Sequence, residues 1–467
     1  MIVGHDISSA RRLRMELRKL APQYLIRCLA IVPLSVLACL LALMPIAALA
    51  DGSAWQKHHD VGIKAARAGD LDTAEQAFRE AIEASDHFRD DDPRRASTLN
   101  NMGYVLHARG ELDQAQSFFE QSLVLRRTVL GQYHPTVADS LANLAEVARD
   151  RGDLAEAVAL QERALTIREM QYVESHPKIA QSLSDLGVLA LEMNDLDKAQ
   201  TLHEQALSIR RNAFGDDHPT TAISLANLAV TLYSRGDVTR SRDLLLQEIA
   251  ILRTKLGDDH PRVATALINR SRIDLELGAG EETVALLEEA LSIRTTRFGG
   301  LHDLTAEAQL ILAEALLQYG DFDRSVNLAR SAVGVWDELA LDKPASRLEA
   351  QSIVGRALAE RGELDEANEI LAGLVEKAQS SSQTPARDRA VYLNNWASVL
   401  HQKGEYRRAL AVFERALSLE EATFGSSAPM IAPTLRNLAA VLISLERFDE
   451  AQMALTRAEA IDANDNR

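Results

Sequence analysis

The sequence predicts an all-α chain in which about ten helix-turn-helix units follow one another in series. Three observations predict it. A 42-residue spacing recurs: His134-Pro135, His176-Pro177, His218-Pro219 and His260-Pro261 each open a segment of the same pattern, and a fixed period of this length is the mark of a stacked repeat array. Within each unit a turn residue divides two amphipathic stretches: Gly69, Gly110, Gly152, Asn194, Gly236, Gly278, Gly320, Gly362 and Gly404. Small residues stand at fixed offsets on either side of that turn, the spacing that lets two helices pack closely.

The units begin near 54, 93, 134, 176, 218, 260, 302, 344, 385 and 429. Proline near the first helical position suits a helix start, because its fixed φ is already helical and its missing N–H has no partner there anyway. Glycine or asparagine at the turn tolerates the left-handed conformation that ends a helix. Glu446-Arg447 occupies the turn of the tenth unit, so its geometry is the least determined. The first column of small residues comprises Gly62, Gly103, Ala145, Gly187, Ala229, Ser271, Ala313, Gly355, Ala397 and Ala439. The second comprises Ala74, Ala115, Ala157, Ala199, Ser241, Thr283, Ser325, Ala367, Ala409 and Ala451.

Residues 1–50 form a separate segment. It opens on the basic stretch Ala10 to Leu20 and continues in an apolar run, Cys28 to Ala50, that holds no charge. It ends in Ala48-Leu49-Ala50, a small-x-small pattern. A basic start, an apolar run and such a site describe an export signal cleaved after Ala50. The run is also long enough for an uncleaved inner-membrane anchor. Either outcome puts residues 51–467 outside the cytoplasm, since the positive end stays inside, and leaves the membrane in contact with the N-terminal segment alone. Leu37-Ala38-Cys39 resembles a lipoprotein site only superficially, because more apolar residues follow Cys39. Met15 is an alternative start.

The net charge is −17, and the first 50 residues carry +4, so the remainder carries −21. A surface this acidic repels phosphate backbones, which excludes nucleic acid as an expected partner. Both cysteines, Cys28 and Cys39, precede residue 51, so the repeats have no thiol chemistry. No phosphate-binding loop, H-E-x-x-H, G-x-S-x-G or calcium loop occurs. The sequence predicts no enzyme, no metal and no cofactor.

The small-residue columns, the Gly-Asp/Glu-Leu turn and the A-L-x-I-R ending resemble tetratricopeptide repeats. The 42-residue period and the linkers Phe214-Gly215-Asp216-Asp217-His218-Pro219 and Leu256-Gly257-Asp258-Asp259-His260-Pro261 are similar to those of the kinesin light chain subtype. The resemblance covers about 54–462. It implies a right-handed superhelix whose first helices line a concave groove, and a groove that binds short segments of other proteins.

Four constellations invite a functional reading. The histidines His134, His176, His218, His260 and His302 lie on the order of 10 Å apart in a stack, too far to share a metal whose bonds are about 2 Å; they read as helix starts. Asparagines Asn101, Asn143, Asn227, Asn269, Asn395 and Asn437 form a column, with Asp185 in unit four and Ile311 and Ile353 interrupting it. The resemblance implies that such amides hold a bound peptide's backbone. The competing reading is that they bond the neighbouring repeat. Helix geometry puts Val188, Leu191, Val230, Tyr233, Leu275 and Leu317 on the groove side, with Arg272 and Glu314 between them. Tyr104, His107, Ser398 and His401 take the corresponding places in units two and nine. An apolar strip of this kind marks a binding site or buries under the next helix. Finally, Arg126-Arg127, Arg168, Arg210-Arg211 and Arg294 sit at second-helix ends, where cations complement the helix dipole.

The expectation is therefore a passive scaffold that binds a protein or peptide in its groove. The alternative is a structural subunit of a cell-envelope assembly that contacts partners through its ends or convex face, where Met453 and Leu455 leave the last helix uncapped.

Overall fold

The structure, a computed structural model, describes residues 46–465 apart from Asp90, Leu277, Ala279, Ser382 and Gln383. Among these residues it contains twenty α-helices and no strand, in two compact units that divide between Glu174 and Ser175. Most of the expected export segment, including Cys28 and Cys39, lies outside the described residues. The expected cleavage point after Ala50 falls within the first helix, which begins at Ile46. No described helix is long and apolar enough to cross a membrane.

The first unit holds α1 (Ile46–Ala68), α2 (Leu71–Ala84), α3 (Pro93–Ala108), α4 (Leu112–Leu130), α5 (Pro135–Asp150) and α6 (Leu154–Gln171). The second holds seven further pairs. They are α7 (Pro177–Glu192) with α8 (Leu196–Phe214), α9 (Pro219–Ser234) with α10 (Val238–Leu256), and α11 (Pro261–Glu276) with α12 (Glu281–Phe298). Next come α13 (Asp303–Tyr319) with α14 (Phe322–Glu338) and α15 (Pro344–Glu360) with α16 (Leu364–Ser380). The last are α17 (Ala386–Gln402) with α18 (Tyr406–Phe424) and α19 (Ile431–Ser444) with α20 (Phe448–Asp465). In each unit every helix packs on its sequence neighbours, as a repeat array requires.

The histidine column is structural, and its role is sharper than helix punctuation. Nδ1 of His134, His176, His218, His260 and His302 accepts the backbone N–H of the residue two places on, at 3.1–3.3 Å. Each imidazole is thus the N-cap acceptor for a first helix, and the ring proton must sit on Nε2. Phe214 and Phe298 stack on His218 and His302 with centroids 4.7 and 4.6 Å apart.

At the turns glycine takes φ near +80°, for example +79° at Gly69 and +84° at Gly236, and Asn194 takes +60°. Four of the turns also use the aspartate that follows the left-handed residue to cap the second helix: Asp70, Asp195, Asp237 and Asp321 each accept the backbone N–H three residues on. Asp153 after Gly152 makes no such bond. The tenth turn closes like the others, with Glu446 in the left-handed conformation at φ +59°.

The two small columns meet across each pair. Where the second column carries serine, its hydroxyl donates to the carbonyl of the first-column residue, Ser241 to Ala229 and Ser325 to Ala313, both at 2.7 Å. Where the first column is glycine, a large side chain from the second helix covers it: Phe78 over Gly62, Phe119 over Gly103, His203 over Gly187 and Leu371 over Gly355.

The arginines at second-helix ends do more than face the helix dipole. Arg126 Nη1 donates to Asn100 Oδ1 on α3 and to the Thr136 carbonyl and Ser140 Oγ on α5. Arg210 Nη1 bridges Ser184 Oγ on α7 and Ser224 Oγ on α9. Arg294 reaches the Leu304 carbonyl at 2.6 Å, and Arg168 pairs with Asp139. Arg168, Arg210 and Arg294 are at most 5% exposed. Arg126, Arg210 and Arg294 tie their helix pair to the next one, which a terminal cation on a lone helix would not do, whereas the Arg168–Asp139 pair joins the two helices of a single repeat. The same position holds Trp336, fully buried, whose Nε1 donates to Asp303 at 2.9 Å.

Candidate functional site

The asparagine column divides in two. Asn101 Nδ2 meets His59 Nε2 at 3.2 Å, Asn143 Nδ2 donates to Asn100 Oδ1 at 3.0 Å, and Asn395 Nδ2 donates to Ser352 Oγ at 3.1 Å. In each case the amide bonds a side chain of the preceding first helix, so these three are repeat-to-repeat ties. The side chains of Asn227, Asn269 and Asn437 make no hydrogen bond to the described residues; Asn227 and Asn269 are half-buried and Asn437 is exposed. A side-chain amide offers both donors and acceptors. Ile311 and Ile353, which replace the amide further on, are buried.

The expected groove residues separate in the same way. Val230 is 41% exposed and Arg272 is exposed. Val188, Leu191, Tyr233 and Leu275 are half-buried. Leu317 does not belong with them. At 6% exposure it is part of the core that α13 shares with α14 and α15, a cluster that also holds Val354 and Leu358, so repeat packing covers that position. Glu314 forms an ion pair with Arg356 at 3.0 Å. His107 and His401 are held by Asp150 and Ser444 at 2.8 and 3.0 Å.

Beyond Arg272 the first helices of repeats six to nine, with the segment that leads into α17, line a half-open cavity of about 720 Å³. Leu275 from α11, Glu314 from α13, Glu349 and Ile353 from α15, and Asp388 and Tyr392 from α17 line it. Glu349 is exposed, with Glu314 and Asp388 along the same cavity wall. Desolvation, then repulsion by Glu314 and Asp388, raises its pKa above the usual carboxylate value, and Arg272 opposes that shift. Tyr392 is 8% exposed, and burial together with Asp388 and Glu349 pushes its pKa up to about 12. It stays a neutral phenol. No hydrogen bond from the Tyr392 hydroxyl, Glu349 or Asp388 side chains is found among the described residues.

Sequence reasoning missed Glu349, Asp388 and Tyr392. A signal existed for Tyr392. It stands five residues before the small position, where units two to eight and unit ten carry Thr98, Ser140, Ser182, Ser224, Ala266, Ala308, Ala350 and Thr434. A phenol in a column of small residues marks a local change of packing. Among the described residues no group of histidine, cysteine and carboxylate ligands has metal-site geometry.

A family model described as the MalT-like TPR region matches residues 62–296, and one described as tetratricopeptide repeat matches 262–338 and 388–464. No curated protein matches the chain significantly. Among solved structures it is similar to a Podosopora anserina kinesin light chain with nearly identical TPR-like repeats, at 22% identity over 43% of this chain and 96% of that one, TM-score 0.38. It is similar to BtubC of P. vanneervenii at 20% identity, covering 49% and 92%, TM-score 0.43. It is also similar to a signal-transduction ATPase of the STAND class with a tetratricopeptide repeat sensor from Pyrococcus horikoshii, at 16% identity and TM-score 0.55. That match covers 80% of this chain and 53% of the other, so the chain spans about half the length of that protein. The last of these supports the fold.

Proposed function

Because the chain belongs to the tetratricopeptide repeat family, whose members commonly serve as protein interaction scaffolds, we propose that it holds a segment of a partner protein against the first helices of repeats four to eight. The observation that carries this reading is the division of the asparagine column. Asn101, Asn143 and Asn395 are tied to neighbouring repeats, whereas the amides of Asn227 and Asn269 have no partner among the described residues. They stand beside Val230, Tyr233, Arg272 and Leu275, where apolar and charged side chains are partly exposed. Side-chain amides beside accessible apolar groups are what an extended peptide needs for its backbone and its side chains.

The test is a photo-crosslinker placed in the native host at Val230, with Leu246 on α10 as the comparison site; Leu246 is 46% exposed. The reading expects a discrete adduct from position 230 and none from 246. Adducts only from 246 would reject it.

A second reading has its own observation. Ile443, Phe448 and Met453 on the last helix pair are 49, 63 and 66% exposed, which favours a subunit joined through that end. Crosslinks from Met453 and none from Val230 would support it. For the site of action, the basic start and the apolar Cys28–Ala50 run support export. A periplasm-dependent reporter fused after Arg467 should be active, and should lose activity when residues 1–50 are deleted.

A further inference from the structure

The cavity between α11, α13, α15 and α17 carries a specific chemistry that the groove reading alone does not supply. Its polar groups are unequally matched. Glu314 is neutralised by Arg356 at 3.0 Å, while Glu349 and Asp388 have no ion pair among the described residues. Tyr392, 8% exposed, brings into this cavity a hydroxyl with no hydrogen-bond partner among the described residues. That hydroxyl opens onto the cavity, where it can donate to or accept from a bound group. The apolar side of the wall is supplied by Leu348, which is half-buried, and Val391, which is 45% exposed.

We propose, on the reading that a protein segment lies along these helices, that the cavity is the anchor for one lysine or arginine side chain of that segment, its cation set against Glu349 and Asp388 and its N–H groups donating to them and to the Tyr392 hydroxyl oxygen. The alkyl stem of the basic residue lies on Leu348 and Val391, as long cationic side chains do on apolar surface. An anionic ligand is disfavoured by two uncompensated carboxylates. A purely apolar one would leave those carboxylates and the phenol unpaired. The repulsion that Glu314 and Asp388 impose on Glu349 is relieved when a cation enters, so occupation also returns Glu349 toward an ordinary carboxylate. Arg272 acts in the opposite sense. Its charge already reaches Glu349 without pairing with it, and it weakens the field that the incoming cation feels.

The experiment pans a random dodecapeptide phage library on the full chain and measures selected peptides by fluorescence anisotropy. Wild type should enrich peptides with a fixed Lys or Arg beside an apolar residue. The E349Q/D388N pair, which preserves shape, should weaken them about tenfold or more, the scale of a hydrogen bond to a charged group. Y392F should weaken them by a smaller factor, and R272A should tighten them. Replacing the peptide's basic residue with Gln should reproduce the E349Q/D388N loss without adding to it. If enriched peptides carry no basic residue, or ignore E349Q/D388N yet are lost in V230D, the basic anchor is wrong while the groove reading stands. If wild type enriches nothing, or its peptides are insensitive to V230D and E349Q/D388N alike, both fall. Unchanged helical circular dichroism in each variant excludes unfolding as the cause of a loss.

Discussion

Gly187 lies directly beneath the imidazole of His203: a β-carbon on Gly187 would come within 2.5 Å of His203 Cε1 and 2.7 Å of Nε2. The contact joins α7 to α8. It shows why the first small column is strictly glycine in some repeats, since a ring or a branched side chain packs flat on the opposing backbone there. G187A forces the ring aside and should destabilise this repeat pair by about 1–3 kcal/mol, the usual cost of overpacking. The corresponding positions of repeat three carry Ala145 and Gln161, so G187A/H203Q should recover much of the loss. Amide hydrogen exchange on α7 and α8 reads both, and equal protection in G187A and wild type would contradict the packing argument.

His203 also sets an acid limit. It is 1% exposed with neither ring nitrogen hydrogen-bonded, and burial, aided by the charge of Arg210, pulls its pKa down to about 4. The folded state therefore holds the neutral ring where the unfolded chain takes up a proton. Its contribution is complete above the ordinary histidine value and is lost as pH falls from about 6.5 toward 4, on the order of 3 kcal/mol in total. H203L should flatten the urea midpoint between pH 7 and 4.5. A variant with the wild-type slope would show that another group is responsible.

Glu248 works in the opposite direction. It stands where other repeats carry Ala164, Ala206, Ala290 and Ala332, is 6% exposed, and has no partner for Oε2. Burial raises its pKa to about 7, against the opposing charge of Arg262. The fold favours the protonated acid, so its contribution is complete below the ordinary carboxyl value and is lost as pH rises through about 7. E248Q should stabilise the chain at pH 8 by on the order of 2–3 kcal/mol and change little at pH 4. Denaturant titrations at the two pH values test this.

Arg210 is expected to hold three helices together. R210A leaves the Ser184 and Ser224 hydroxyls without their shared donor and opens a void, a loss of about 2–4 kcal/mol. R210L should lose less, because Leu252 fills this column in repeat five with full burial. Faster exchange in both α8 and α9 is the expected signature. A change confined to α8 would mean that Arg210 serves its own helix only.

Glu446 occupies a left-handed turn, φ +59°, that eight of the other repeats give to glycine and one to asparagine. E446G should therefore stabilise α19 and α20 by about 1 kcal/mol, seen as a higher thermal midpoint or slower exchange there. Destabilisation would indicate that the Glu446 side chain contributes more than its backbone costs.

Repeat length, the helix pairs, their turns and the two small columns are all determined by the sequence alone. Each depends on short-range rules that a period of about 42 residues displays again and again: proline at most helix starts, glycine at most positions where φ must be positive, small residues where two backbones approach. Even the innocence of the histidine column follows from spacing. Long-range placement is a different matter. The period makes Asn101, Asn143, Asn227 and Asn269 equivalent, and only the packed structure separates those bonded to the preceding repeat from those with no partner among the described residues, because the outcome depends on the side chain that the neighbour presents. Leu317 and Val230 likewise occupy one face by helix geometry, yet one is core and the other open. The arginine staples, and the meeting of Glu349, Asp388 and Tyr392 around one cavity, come from residues tens of positions apart. The physical reason is the same in each case. Local sequence sets backbone conformation, while burial and hydrogen-bond partnership are properties of two surfaces, and the second surface belongs to another repeat.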